Sequence, residues 1–362
     1  MPTLFDPVEM GALKLPNRIL MAPLTRGRAT REAVPTPIMA EYYAQRAEAG
    51  LIVTEATGIS REGLGWPYAP GLWSDEQVEG WKPVVEAVHR AGGQIAAQLW
   101  HMGRLVHPSL GGGPPVSASA TRAPAYAHTY EGKQDYAEAR AATQSDIDRI
   151  LGDYARAARN AVAAGFDGVQ IHGANGYLVD QFLRDGTNLR DDDYGGPIAN
   201  RLRFMSEVVR AVAGEAGIER TGIRLSPNGD VQGCHDSDGH ALFIAAAAEL
   251  ERLGVPWLEL REPGPHSTFR ATDEPAVSPD VRKIFTGKLV LNSDYDGTSA
   301  QAKLDDNIAD AISFGRPFIA NPDLVERIRA SAPLNAWEVK TFYSQGSEGY
   351  TDYPTIREQN AA

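Results

Sequence analysis

The sequence predicts an α/β fold, a (β/α)₈ TIM barrel with an N-terminal hairpin and a small capping excursion after its third strand. Three observations predict it. Short apolar runs rich in β-branched residues recur eight times without strict alternation, the pattern of parallel strands covered on both faces. Amphipathic stretches separate them. Polar residues collect where the runs stop, and the C-terminal ends of barrel strands are where such folds build their sites.

The eight runs are Arg18–Met21, Leu51–Glu55, Gln94–Leu99, Gly168–Ile171, Gly222–Leu225, Trp257–Leu260, Leu289–Leu291 and Ala311–Phe314. Ahead of them, Phe5-Asp6-Pro7 and Leu13-Lys14-Leu15 predict a hairpin closing the opposite end of the barrel. The clearest helix is Ser145–Ala164, where Ile147, Ile150, Leu151, Tyr154 and Ala158 share one face. Ser145 with Asp148 three residues on predicts a capping box, in which Glu or Gln is the usual partner. About 70 residues separate the third and fourth strands, and the extra length sits at His101–Thr143 around Gly111-Gly112-Gly113-Pro114-Pro115. A structureless loop of that length is unusual in a compact domain, so it predicts an excursion with its own hairpin over the barrel mouth. One domain is expected over residues 1–362, with 101–143 as a capping insertion, since α/β barrels often exceed about 250 residues as a single domain.

Composition narrows the class. At 362 residues, 43% hydrophobic and 23% charged, the chain has the balance of a globular protein with a large core. A net charge of −12 argues against nucleic acid or an anionic membrane surface as partner. No apolar run approaches the roughly 20 residues of a membrane span. Met1-Pro2-Thr3-Leu4-Phe5-Asp6 carries no basic start or apolar signal core, so no export signal and a cytoplasmic location are expected. Cys234 is the only cysteine, which excludes an intrachain disulfide, a cysteine-ligated iron–sulfur cluster and a Cys-rich zinc site; no metal is expected.

The strand ends deliver polar groups to one mouth. The first ends in Ala22-Pro23-Leu24-Thr25-Arg26, the second in Glu55-Ala56-Thr57-Gly58 and the third in Gln98-Leu99-Trp100-His101. Gln98 offers an N–H and a C=O side by side, matching a cyclic imide edge, or else ties two strands together. Arg224, between Ile223 and Leu225, is costly to bury unless it meets an anion, an electron-rich ligand or an acid such as Glu55. Thr25 faces a ligand or a local backbone group. After the seventh strand comes Asn292-Ser293-Asp294, and after the eighth Gly315-Arg316-Pro317, where such barrels often bind phosphate. Gly315 allows close backbone approach and Arg316 a bidentate charge, whereas an inward Asp294 would repel phosphate. Trp66, Tyr68, Trp100, Tyr343 and Tyr350 fall in predicted loops, where they either pack or receive a flat conjugated ligand.

The fourth strand runs into Ile171-His172-Gly173-Ala174-Asn175-Gly176-Tyr177. His172 and Asn175 can donate hydrogen bonds, and Tyr177 keeps its proton at neutral pH. Two donors beside one weak acid suit polarisation of a carbonyl followed by protonation of carbon. A polar loop with a capping Asn is the plainer alternative.

These motifs in combination resemble the old yellow enzymes, FMN-dependent ene-reductases on a (β/α)₈ barrel. The likeness runs from Leu4-Phe5-Asp6-Pro7 to Gly349-Tyr350-Thr351-Asp352-Tyr353-Pro354 and rests on Asn17–Arg26, Gln98–His101, Gly165–His172, Asn188-Leu189-Arg190 with Asp193–Gly196, and Phe314–Leu324. Within that family it resembles bacterial enoate reductases of cyclic enones and N-substituted maleimides. Some relatives carry a second His where this chain has Asn175.

The resemblance implies FMN as cofactor, NADPH or NADH as hydride donor, electron-poor alkenes as substrates, and a monomer or homodimer. It implies that Pro23, Leu24, Thr25 and Ala56 contact the isoalloxazine, that Gln98 pairs with its pyrimidine edge, and that Arg224 lies near N1 and O2. Asn292, Ser293, Gly315 and Arg316 would hold the phosphate. His172 and Asn175 would bind the substrate carbonyl, Tyr177 would protonate carbon after hydride transfer from N5, and Trp66, Tyr68, Trp100 and Tyr350 would line the pocket. The rival readings are another FMN barrel oxidoreductase, a barrel hydrolase using Glu55 and Glu259, and a non-catalytic flavin-binding protein.

Overall fold

The computed structural model describes residues 1–268 and 270–361; residues 269 and 362 of the expected 1–362 domain lie outside that description. A hairpin comes first, β1 (Val8–Met10) antiparallel to β2 (Leu13–Leu15). Three barrel strands follow, β3 (Ile19–Met21), β4 (Leu51–Gly58) and β5 (Ile95–Trp100). Four short strands then stand apart from the barrel: β6 (Val116–Ser117), β7 (Tyr126–Thr129), β8 (Gly132–Asp135) and β9 (Arg140–Ala141). The barrel resumes with β10 (Gly168–His172), β11 (Thr221–Leu225), β12 (Trp257–Arg261), β13 (Lys288–Asn292) and β14 (Ala311–Phe314). The eight parallel strands close in the order β3-β4-β5-β10-β11-β12-β13-β14.

Seven of the eight strands end within one residue of their expected limits. The exception is β4, which continues from Glu55 to Gly58 with a register shift between Val53 and Ala56. Polar residues interrupt its apolar run, yet they stay buried because their groups are satisfied. The Thr54 hydroxyl accepts the Gln98 N–H at 3.1 Å, and the Glu55 carboxylate accepts those of Arg26 and Gly27 at 3.1 and 3.0 Å.

The hairpin plugs the N-terminal end of the barrel. Its alternating Val8, Met10, Leu13 and Leu15 pack on the inward Leu20, Leu51, Val53, Ala96, Trp257, Val290 and Ala311. A larger apolar cluster lies between the outer strand faces and the surrounding helices. That leaves the C-terminal mouth for chemistry. In the helix Gln144–Ala164, Ile147, Ile150, Tyr154 and Ala158 are buried as expected. The cap lies two residues earlier than expected: Thr143 and Asp146 form the reciprocal box, not Ser145 and Asp148. Asp146 reaches back because the Thr143 side chain and backbone both donate to it, at 2.7 and 2.9 Å.

Between β5 and that helix, β7 and β8 form an antiparallel hairpin and β6 pairs with β9. Among the described residues no helix is long and apolar enough to cross a membrane.

Candidate active site

The barrel registers place the polar side chains. Gln98 lies opposite Gln170, His172 opposite Arg224, Arg224 opposite Glu259, and Asn292 opposite Ser313. Gln98 does tie two strands together, its Nε2 donating to Gln170 Oε1 at 2.7 Å. Arg224 does not pair with Glu55. Its Nε lies 3.5 Å from Glu259 Oε1, on the neighbouring strand, and its Nη2 donates to Asn292 Oδ1 at 2.6 Å. Glu55 instead turns toward the β3 loop, where it holds the backbone just after Thr25 and receives the Tyr43 hydroxyl at 3.4 Å.

A cleft of about 360 Å³ opens at this mouth, lined by Pro23, Leu24, Asn175, Arg224, Asn292, Ser293, Gly315 and Arg316. Thr25 adjoins it, half-buried, and its hydroxyl makes no hydrogen bond to the described residues, so the local backbone is not its partner. Gly315 lies in the lining of the cleft, where a Cβ would make only an ordinary van der Waals contact with Leu24 Cδ2, at 3.5 Å. Asp294 lines the cleft as well, but its carboxylate is engaged: it accepts the Thr268 N–H and hydroxyl at 2.6 and 2.9 Å and meets Arg316 Nη2 at 3.1 Å. Arg261, at the end of β12, lines the same cleft and was missed from sequence. Burial and the cations Arg224, Arg270 and Arg316 push its pKa down to about 10. Such a concentration of guanidinium groups favours an anionic ligand. The signal was available, since Arg261 follows Leu258-Glu259-Leu260 much as Arg224 follows Gly222-Ile223.

The second feature is the turn after β10. Asn175 and Gly176 have φ of +59° and +79°, and the Tyr177 N–H donates to Ala174 O at 3.3 Å. A turn with both central residues at positive φ selects Asn-Gly. The Ser226 hydroxyl accepts the Asn175 N–H at 2.7 Å, while Asn175 Oδ1 is buried without a hydrogen-bond partner among the described residues. His172 Nδ1 accepts the Ala174 N–H at 3.4 Å, which leaves the proton of the neutral ring on Nε2. Burial, with Arg224 nearby, holds its pKa well below the ordinary histidine value. Burial raises that of Tyr177.

Aromatic groups form the outer wall. Tyr177 stands edge-on to Trp100 at 4.9 Å, and Trp66, Trp100 and Ala56 share its apolar cluster. The insertion reaches over them: His128 of β7 lies 4.6 Å from Trp66, and Tyr130 lies 5.0 Å from Tyr68. Tyr350 does not line the mouth. It is fully buried, stacked at 4.0 Å on Tyr42. Tyr343 takes that place, its ring 4.9 Å from Trp66. Arg26 and Arg28 fasten this C-terminal segment by donating to the carbonyls of Thr341, Phe342 and Gly349.

The mouth therefore offers neutral donors and one retained proton, beside a cationic cleft. Glu55 and Glu259 both spend their oxygens inside the protein, which disfavours a hydrolase built on them. Among the described residues no group of His, Cys, Asp and Glu could hold a metal ion.

Residues 3–335 match the NADH:flavin oxidoreductase / NADH oxidase family. The structure of an old yellow enzyme homologue from Zymomonas mobilis superposes with a TM-score of 0.96 at 58% identity, over 98% of this chain and 99% of that one. Morphinone reductase gives 0.95 at 46% identity, over 99% and 97% of the two chains, and a structure of it in complex with tetrahydroNAD gives 0.92 at 46%, over 98% of each. The 12-oxophytodienoate reductase 1 of Oryza sativa subsp. japonica is 41% identical over 360 residues, 98% of this chain and 93% of the rice protein. With fold, cleft and these likenesses in agreement, the chain belongs to the old yellow enzyme family of NADH:flavin oxidoreductases.

Proposed function

We propose that the chain is an FMN-dependent ene-reductase that uses NADPH or NADH to reduce the activated C=C bond of α,β-unsaturated carbonyl compounds, such as cyclic enones and N-substituted maleimides. The observation that carries this reading is the His172–Tyr177 ring pair, with His172 opposite Arg224 in the barrel register and Asn175 lining the same cleft as Arg224. The residues present fit FMN. Pro23, Leu24, Thr25 and Ala56 would take the isoalloxazine, and Gln98 its pyrimidine edge. Arg224, whose buried Nε has no hydrogen-bond partner among the described residues, would serve N1 and O2. Asn292, Ser293, Gly315 and Arg316, joined by Arg261, would hold the phosphate.

The chemistry that FMN supplies when bound is hydride transfer, from NAD(P)H and on to the alkene β-carbon. His172 and Asn175 hold the carbonyl oxygen and stabilise the negative charge that grows on it, as preorganised donors do in an oxyanion hole. Tyr177 keeps its proton because burial raises its pKa, and gives it to the α-carbon. Trp66, Tyr68, Trp100 and Tyr343 exclude water and present flat surfaces to a conjugated substrate.

An anaerobic visible spectrum, with NADPH added and then 2-cyclohexenone, tests the reading. A flavin band that bleaches with NADPH and returns with the enone is expected. A band that stays bleached discards the enone, and absence of any flavin band after FMN is supplied discards the cofactor.

A further inference from the structure

Glu259 is a carboxylate only 1% exposed inside a parallel barrel, and no step above uses it. Burying such a charge costs several kcal/mol unless its partners compensate. Its partners form a chain around the barrel. Oε1 accepts the Ser313 hydroxyl at 2.6 Å and lies 3.5 Å from Arg224 Nε. Oε2 accepts Gln170 Nε2 at 2.7 Å, and Gln170 Oε1 accepts Gln98 Nε2 at 2.7 Å. Arg224 Nη2 donates to Asn292 Oδ1, and Asn292 Nδ2 to the Ser313 carbonyl at 2.9 Å.

This chain has a direction. An ionised carboxylate only accepts hydrogen bonds, so Gln170 must turn its NH₂ toward Glu259 and its carbonyl toward β5. Gln98 must then turn its NH₂ toward Gln170. What remains free on Gln98 is its carbonyl oxygen, an acceptor, together with its second amide hydrogen. A flavin's imide edge presents one N–H between two carbonyl oxygens, which that arrangement fits. An amide at residue 259 could either accept or donate, and the direction would be lost. The second consequence is electrostatic. Beside Arg224, Glu259 offsets the guanidinium charge that would otherwise act in full on an anion collecting at the same end of the ligand.

We propose that Glu259 is a positioning residue for the flavin end of the site: its carboxylate orients the Gln98 amide through Gln170 and tempers the charge of Arg224. This rests on the FMN reading above. The experiment compares the parent with Glu259→Gln and Gln170→Leu by two readouts, FMN affinity of the deflavinated protein from flavin fluorescence and the midpoint potential of the bound flavin against a reference dye. Glu259→Gln is expected to raise the potential, displacing the oxidised–reduced equilibrium at least tenfold, about 30 mV for two electrons. It should also weaken FMN binding. Gln170→Leu cuts the relay but leaves the Arg224–Glu259 pair, so it should weaken FMN binding while the equilibrium stays within about threefold of the parent. Glu259→Asp keeps the charge, and it should hold the parent potential even if Glu259→Gln fails to fold. A parent potential and affinity in Glu259→Gln overturns the proposal, as does a shifted potential in Glu259→Asp. A parent protein that binds no FMN overturns the functional reading itself, a result distinct from either.

Discussion

Tyr177 stands edge-on to His172, ring centroids 4.9 Å apart and planes crossed at 79°, and no hydrogen bond joins them among the described residues. Each therefore keeps its own proton for a ligand between them. His172 has its Nε2–H free because the backbone occupies Nδ1, and Tyr177 has a hydroxyl that burial keeps protonated. In the proposed reaction the two groups would divide the labour, His172 stabilising charge on oxygen and Tyr177 supplying a proton to carbon.

His172→Ala is accordingly expected to slow enone reduction on the order of 100-fold, the usual cost of one oxyanion donor. Reduction of the flavin by NADPH should change far less. Stopped-flow measurement of the two half-reactions separates them, and equal slowing of both would refute the role. Tyr177→Phe should leave NADPH oxidation coupled to flavin reduction intact while the second half-reaction slows; unchanged turnover would assign the proton to water or another group.

The pH profile follows from the same two residues. The His172 pKa is held well below its ordinary value and that of Tyr177 above its own, so neither titrates between about pH 6 and 9. The enone half-reaction should be flat across that interval. A break near pH 6.5 would mean that His172 charges in the working enzyme.

Much of this was legible in the sequence. Each β-branched run became a strand because strands buried on both faces leave an uninterrupted apolar signature, and His172-x-x-Asn175-x-Tyr177 set two donors and a weak acid at one strand end, while the positive-φ turn at Asn175-Gly176 emerged only with the structure. What was not legible depended on which way a side chain turns. Arg224 had two acids to choose from, and only the barrel register puts Glu259 rather than Glu55 beside it. Likewise Tyr343 and Tyr350 lie seven residues apart in one loop, and it takes Arg26 and Arg28 gripping its carbonyls to send one ring to the mouth and the other into the core.

That distinction is testable. Tyr350→Ala removes a ring stacked on Tyr42 in the core and is expected to cost about 3–5 kcal/mol of stability, as large aromatic truncations do. Tyr343→Ala removes a ring that is half exposed at the mouth. It should change the KM for bulky enones several-fold while the denaturation midpoint stays close to the parent. The reverse pattern would place Tyr350, not Tyr343, in the pocket.

His101 gives a stability prediction of known sign. Burial pushes its pKa down to about 3, against 6.5 for the exposed side chain. Between those values the unfolded chain binds a proton that the folded chain refuses, so stability falls as pH falls through that window, by about 1.4 kcal/mol per pH unit for one group. His101→Asn keeps an acceptor for the Gly103 N–H but cannot titrate. Denaturation midpoints at pH 7.5 and 5.5 should differ less in the variant than in the parent. An identical pH dependence in both would show that His101 charges freely.

Two arginines in the same cleft differ in their charge surroundings. Arg316 meets Asp294 at 3.1 Å, and the pKa of Arg261 is pushed down by burial and by the cations Arg224, Arg270 and Arg316, with Asp294 opposing them. An anion arriving in the cleft relieves the repulsion around Arg261 as well as gaining its hydrogen bonds, so Arg261 should carry more of the phosphate affinity. Hydrogen bonds to charged groups contribute about 1.5–3 kcal/mol, or roughly 10- to 150-fold in binding. Arg261→Ala should therefore weaken FMN by at least about tenfold and more than Arg316→Ala does, with riboflavin, which lacks the phosphate, almost unaffected. Equal losses for FMN and riboflavin would place Arg261 on the ring system instead, and no loss for either would remove it from the site.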